Sequence, residues 1–454
     1  MDATLRTDPV IERIGGFIAD ARLEIDDATM ASAQSALIDL LGCIVVGSRE
    51  EVATKAREAL LVMSGDAPAF GTHDTFAPTT AAFVNAVAGH AIDFDDWEIP
   101  GNTHPSISII PALLAATTDR PVSGREFAEA YIVGFEVIAR LGEGLNFTHY
   151  DAGWHSTATF GPMGAAAAVA RMWGLDATTA AHAVAIAVSR ASGLTAQFGS
   201  DAKPLQGGFA AEAGLTAAML ARAGLTGKLT ALQGPSGYNK LTAHGDDARL
   251  RAAFDRMGQP LSLSTYGLVF KPYPSCGYTH RIVDAALKLR DVDIAIGRIA
   301  SIEIELPDFH ADVLPFMDPA NAREARFSLP FCAALALTRG GVTAKDFIDE
   351  AWRDPTIAHL VGLTRVAPFK PLDPGLNYDP RQPDRMHVHL DDGTTHEASV
   401  DYPLGAPQNP MSLDDIVAKF TSLTMANSDD IAALIAWPDC PNIHDLLKPW
   451  SAPK

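Results

Sequence analysis

GGFAAEAGLTAAMLARAG, residues 207–224, is the stretch whose reading decides the fold. Alanine and glycine dominate it, Glu212 and Arg222 stand far apart, and Gly224 follows the last good helix former. Alanine favours the helix more than any other residue, and a glycine just past the end is a common stop. Side chains this small let helix axes approach closely, so the expectation is a tightly packed helical body. The same character recurs outward from it. GPMGAAAAVARMW (161–173) repeats the composition, and ASAQSALIDLLGCIVVG (31–47) sets Leu37, Leu40, Leu41, Ile44 and Val45 at three-and-four spacing. Ser123 and Glu126 form a capping box before FAEAYIVGFEVIARLGEGL (127–145), and DATTAAHAVAIAVSRASG (176–193) reads as another glycine-closed helix.

The pattern changes after TYGLVFKPYPSCGYTH (265–280). RIASIEIELP (298–307) alternates as a half-buried strand, and RMHVHLDDGTTHEASV (385–400) alternates on both sides of Asp392-Gly393, a hairpin signal. RFSLPFCAALALTRG (326–340) is a helix between them. NPMSLDDIVAKFTSL (409–423) is helical again, with Ser412 and Asp415 in capping positions. The fold class expected is therefore mainly α. Residues 1–267, completed by 403–454, form a large all-helical domain, and 268–402 form a smaller α+β domain.

A chain of 454 residues exceeds one ordinary core, and 47% hydrophobic with 20% charged residues is a globular balance. The net charge of −20 (35 − 55) repels phosphate backbones and argues against nucleic acid as the partner. Cys43, Cys276, Cys332 and Cys440 are scattered without a CxxC pair, which argues against structural zinc or a disulfide framework. The opening MDATLRTDPVIERIGGFIADA has no apolar core of signal-peptide length, and no uninterrupted apolar run reaches membrane length. A soluble cytoplasmic protein is the expectation. GxGxxG after a strand, Walker A, GxSxG and HExxH are all missing, and His387 and His389 fall on one face of a hairpin strand. No metal and no cofactor are expected.

Polar residues gather in four segments that make neither good helix nor good strand. HAIDFDDWEIPGNTHPS (90–106) holds Asp93, Asp95, Asp96, Trp97 and His104. HYDAGWHSTATFGP (149–162) holds Tyr150 and His155, and QFGSDAKPLQGGFAAEAG (197–214) holds Lys203. FKPYPSCGYTHRIVDAA (270–286) holds Lys271, Tyr278 and Arg281. Taken singly, each has a plain explanation: a cap, a structural histidine, a surface lysine. Together they are four polar loops abutting apolar helices, the usual address of catalytic groups.

In combination these segments resemble the MmgE/PrpD family, which includes 2-methylcitrate dehydratase, cis-aconitate decarboxylase and iminodisuccinate epimerase. The matching stretches are GHAIDFDD, THPSISIIPALLA, FGSDAKPLQGGFAAEAGLTAAMLARAGLTG, KPYPSCGYTHRIVDAA, SLPFCAALAL and NPMSLDDIVAKF, in family order from about residue 10 to 425. The resemblance implies a helical domain with an α+β lid, a homodimer, no cofactor, and a small acidic substrate. It carries active-site positions onto Asp93, His104, Lys203 and Lys271, and more loosely onto His155 and its neighbour Tyr150. Trp97 stands where members commonly have threonine, and Arg281 where they often have proline.

The shared chemistry is a proton taken from or given to carbon beside a carboxylate. Developing charge there needs placed cations and donors, and losing one donor costs about 3 to 4 kcal/mol of barrier. Lys203, Lys271 and Arg281 are the expected carboxylate holders, and His104 and His155 the candidates for base and acid, in either order. Asp93 is expected to orient His104 or a lysine, Asp95 and Asp96 to cap, and Trp97 and Tyr278 to wall the pocket. Because of Trp97, the first expectation is an epimerase of iminodisuccinate type, with a dehydratase or decarboxylase as the alternative. A helical interaction protein without activity is the non-enzyme reading.

Overall fold

Small side chains set how closely the helices pack. In the computed structural model, which describes residues 9–292 and 294–452, the helices Gly124–Leu145 and Ser156–Met172 cross at Gly134 and Gly164. A Cβ added at Gly134 would lie 2.8 Å from the Gly164 carbonyl oxygen, a clash that alanine could not avoid. The first core joins residues from Val10 through Phe270 to residues from Ile416 to Trp450. The second joins Trp97 to residues between Val269 and Val400. Residues 1–8 of the N-terminal stretch lie outside the described residues. The helix Asp27–Gly47 is long and apolar enough to cross a bilayer, but most of its apolar window is buried in protein.

The second core is built on a four-stranded sheet ordered Thr364–Phe369, Ile299–Pro307, Asp384–Leu390, Thr395–Val400. Ile302, Ile304 and Leu306 are buried on one face, beside Met386 and Val388, as the alternation requires. The helices His280–Arg290 and Leu329–Arg339 belong to the same core. Sequence reading misses Thr364–Phe369, which runs parallel to Ile299–Pro307 at the sheet edge. Pro368 weakens its strand signal, and an edge is where a strand tolerates proline.

Two further differences bear on the helical region. Ser64–Pro68 pairs with Thr75–Phe76 in a short hairpin where no strand is expected. The helix beginning at Ala177 ends at Val188, so Gly193 does not close it. Gly193 instead accepts a hydrogen bond from the His155 backbone N–H at 3.0 Å. The helices Pro78–His90 and Pro105–Ala116 are joined by residues 91–104, so the acidic loop lies inside the molecule. Asp93, Asp95, Asp96, Trp97 and Glu98 are all buried, and none of the three aspartates caps a solvated turn.

Candidate active site

Three helix beginnings meet at one cavity. His104 occupies the N-cap position of Pro105–Ala116, His155 that of Ser156–Met172, and Lys203 the first turn of Ala202–Arg222. All three side chains line a single small cavity, with Asp93, Trp97, Tyr150, Lys271 and Tyr278. The positive ends of three helix dipoles therefore adjoin it, which favours an anionic occupant.

Asp93 sits at the centre with φ +53, a left-handed backbone region that aspartate tolerates better than most residues. Its Oδ1 pairs with Lys203 Nζ and lies 3.1 Å from Lys271 Nζ, which also donates to the Asp93 carbonyl oxygen at 2.9 Å. Burial alone would raise the Asp93 carboxyl, but the two lysines hold it well below the usual range. Burial likewise opposes the charge on Lys271, and Asp93 overcomes it, raising that lysine. Two cations thus share the Asp93 carboxylate, so the Asp93–Lys203–Lys271 cluster by itself carries one positive charge, with the buried Asp95 carboxylate the next anion beyond it.

The acid that meets His104 is Asp95 and not Asp93. Asp95 Oδ2 lies 3.0 Å from His104 Nδ1, though off the line of a good hydrogen bond, and both Asp95 oxygens lie 2.9 Å from His90 Nδ1. These donor atoms fall within 4.8 Å of one another, a metal-ligand type of grouping. A spacing near 3 Å is a hydrogen-bond distance for His90 and an ion-pair distance for His104, so the three side chains form a His–Asp–His chain. Burial pushes His104 down to about 4 despite Asp95, so its imidazole rests neutral. Burial also holds His155 well below its usual value. Its Nδ1 lies 2.5 Å from Gln206 Oε1, while Gln206 Nε2 donates to the Leu194 carbonyl oxygen at 3.2 Å. That second bond fixes the amide, so His155 Nδ1 carries the proton and Nε2 is the free nitrogen.

Family models for the MmgE/PrpD N-terminal domain and C-terminal domain match residues 12–251 and 273–432. The chain belongs to the MmgE/PrpD family. Over 97% of its length it is 30% identical to cis-aconitate decarboxylase of Mus musculus, covering 93% of that protein. It is equally identical to the Homo sapiens protein of that name, over 95% of this chain and 92% of that one. Identity to the Aspergillus terreus protein is 24% over 90% of this chain and 87% of that one.

In this MmgE/PrpD chain, eight of the nine expected site residues line the cavity and Arg281 does not. Arg281 is buried behind it, 2.9 Å from Asp384 Oδ1, and donates to the carbonyl oxygens of Val400 and Asp379. Its donors are spent on tying the helix His280–Arg290 to the sheet. Arg281→Met is expected to destabilise the fold by about 3 to 5 kcal/mol and to leave KM unchanged. Denaturant unfolding and steady-state kinetics check this; a raised KM at full stability would restore Arg281 to the pocket.

Several residues that sequence reading passes over complete the site. Asn102, Phe198, Cys276, Val313 and Phe327 line the same cavity. The Cys276 thiol is pushed by burial up to about 11, so it stays protonated and a poor nucleophile. Trp97 packs edge-on against Tyr278 and Tyr378, and a side chain at Gly277 would meet its indole nitrogen at 2.9 Å. Lys419, on the helix Leu413–Thr424, donates to the carbonyl oxygens of Phe94 at 2.7 Å and Lys271 at 3.0 Å. It also pairs with Asp39 at 2.7 Å. A C-terminal helix thereby pins the acidic loop to the lysine loop, which explains why the chain returns to the helical core.

Proposed function

We propose that this protein is a cofactor-independent lyase that decarboxylates a small unsaturated tricarboxylate, with cis-aconitate as the first candidate. The observation that carries the reading is the surplus cation of the Asp93–Lys203–Lys271 cluster, set among three helix beginnings beside two neutral imidazoles. The relatives named above bear the name decarboxylase and match this chain along nearly their whole length, which favours a lyase over the epimerase. The epimerase expectation rests on Trp97 alone, and Trp97 packs as a wall of the cavity where it can select substrate shape without dictating the reaction.

cis-Aconitate carries one carboxylate on a methylene beside a carbon–carbon double bond. When that carbon–carboxylate bond breaks, carbon dioxide leaves and the bonding pair forms a new double bond. The old π pair moves to the carbon next to another carboxylate, and one proton there completes methylenesuccinate. Lys203 and Lys271 stabilise the negative charge that builds on that carboxylate. A bound trianion beside His104 and His155 favours their protonated forms, so binding itself arms the proton donor.

The test is purified protein with cis-aconitate, assayed for carbon dioxide and for methylenesuccinate by proton NMR. Stoichiometric appearance of both is the expected result. Turnover of a saturated hydroxy-tricarboxylate to an alkene, with cis-aconitate untouched, would replace the reading with a dehydratase. No turnover of any polycarboxylate by folded protein would favour the interaction-protein view. The homodimer implied by the resemblance is retained as part of the proposal, to be tested by light scattering.

A further inference from the structure

Asn102 lies in the turn that ends the acidic loop, with φ +52, a region asparagine tolerates better than most residues. It is buried, and it lines the cavity that holds both lysines and both histidines. Its Oδ1 accepts a hydrogen bond at 2.7 Å from Asn377 Nδ2, across from the sheet-bearing region. Its Nδ2 is buried with no hydrogen-bond partner. A buried amide donor left unmade is costly, and an acceptor on a bound ligand would recover that cost.

The orientation of this amide follows from an acceptor that cannot turn into a donor. Asn377 Nδ2 also donates to the Ile99 carbonyl oxygen at 3.2 Å, and Asn377 Oδ1 accepts from the Tyr278 hydroxyl at 2.9 Å. Flipping Asn377 would set its oxygen against the Ile99 carbonyl. With Asn377 so fixed, its second N–H needs an acceptor, so Asn102 turns its oxygen that way and its NH₂, buried and unpartnered, away from Asn377 on a residue that lines the cavity. We infer that Asn102 Nδ2 is a hydrogen-bond donor to a substrate carboxylate, a third holding point beside Lys203 and Lys271. This inference rests on the polycarboxylate reading above and names how a third carboxylate is recognised without a third cation.

Asn102→Asp is the decisive variant, because aspartate keeps the shape and still accepts from Asn377 Nδ2 while putting an oxygen where the donor stood. The probe is propane-1,2,3-tricarboxylate, which has no double bond to react, with its dissociation constant read by titration calorimetry at fixed pH. Wild-type protein is expected to bind it, and Asn102→Asp to bind at least about tenfold more weakly with an unchanged unfolding midpoint. Asn102→Gly, which suits the same backbone angle, is expected to show a smaller loss in the same direction. Equal affinity of wild type and both variants would overturn the role of Asn102 and leave the polycarboxylate reading intact. Wild-type protein that binds no tricarboxylate would overturn both.

Discussion

Lys203→Met is expected to lower kcat/KM for cis-aconitate about a thousandfold, the upper end for loss of one placed charge at an oxyanion. The physical reason is specific to this cluster. Asp93 takes up one of two lysine charges, so removing Lys203 cancels the surplus and leaves a neutral Asp93–Lys271 pair. Methionine keeps the length and the apolar stem beside Phe327, and Lys271 still satisfies Asp93 through both its carboxylate and its carbonyl. The fold should therefore survive, and steady-state kinetics beside a thermal melt check both halves. A folded Lys203→Met protein with kcat/KM within tenfold of wild type would remove lysine from the chemistry.

Asp95→Asn carries the second large effect, a fall in kcat of about a hundredfold, with a displaced pH profile. If the imidazolium of His104 delivers the proton in the complex, kcat declines on the alkaline side as that proton is lost. A carboxylate 3.0 Å away favours the cation and holds its pKa up. Removing the anion lowers that pKa, so the alkaline limb moves to lower pH by about one unit. His90 loses the same anion and keeps only a neutral acceptor. If kcat falls with no displacement of the limb, Asp95 serves only to hold the loop.

Much of this site is legible in the amino-acid sequence, and the reason is where its residues lie. Lys203, His104 and His155 each open a helix rich in small and apolar residues, so a polar group there stands out against its surroundings. The strand 299–307 is legible because its partners bury one face only. Burial itself is not legible. Asp95 reads as a cap because three acids in four positions look solvated, yet it sits between two imidazoles with no exposed surface. Arg281 reads as a free cation because Asp384 is more than a hundred residues away in the chain. Lys419 hides for the same reason, on an amphipathic helix where a lysine looks ordinary. Asn102 leaves no signal in the sequence at all. Its meaning lies in one unpartnered N–H, which only the Asn377 and Ile99 contacts reveal.

The most direct measurement of the central claim is the fate of the proton in deuterium oxide. If cationic and imidazole groups hold a carbanion in this cleft after carbon dioxide has left, each molecule of product should carry one deuteron in its saturated methylene. Recovered cis-aconitate should carry none, because the bond that breaks first is to carbon dioxide. Deuterium washing into unreacted substrate, or scrambling of a stereocentre without release of carbon dioxide, would contradict the account and return the site to proton exchange alone.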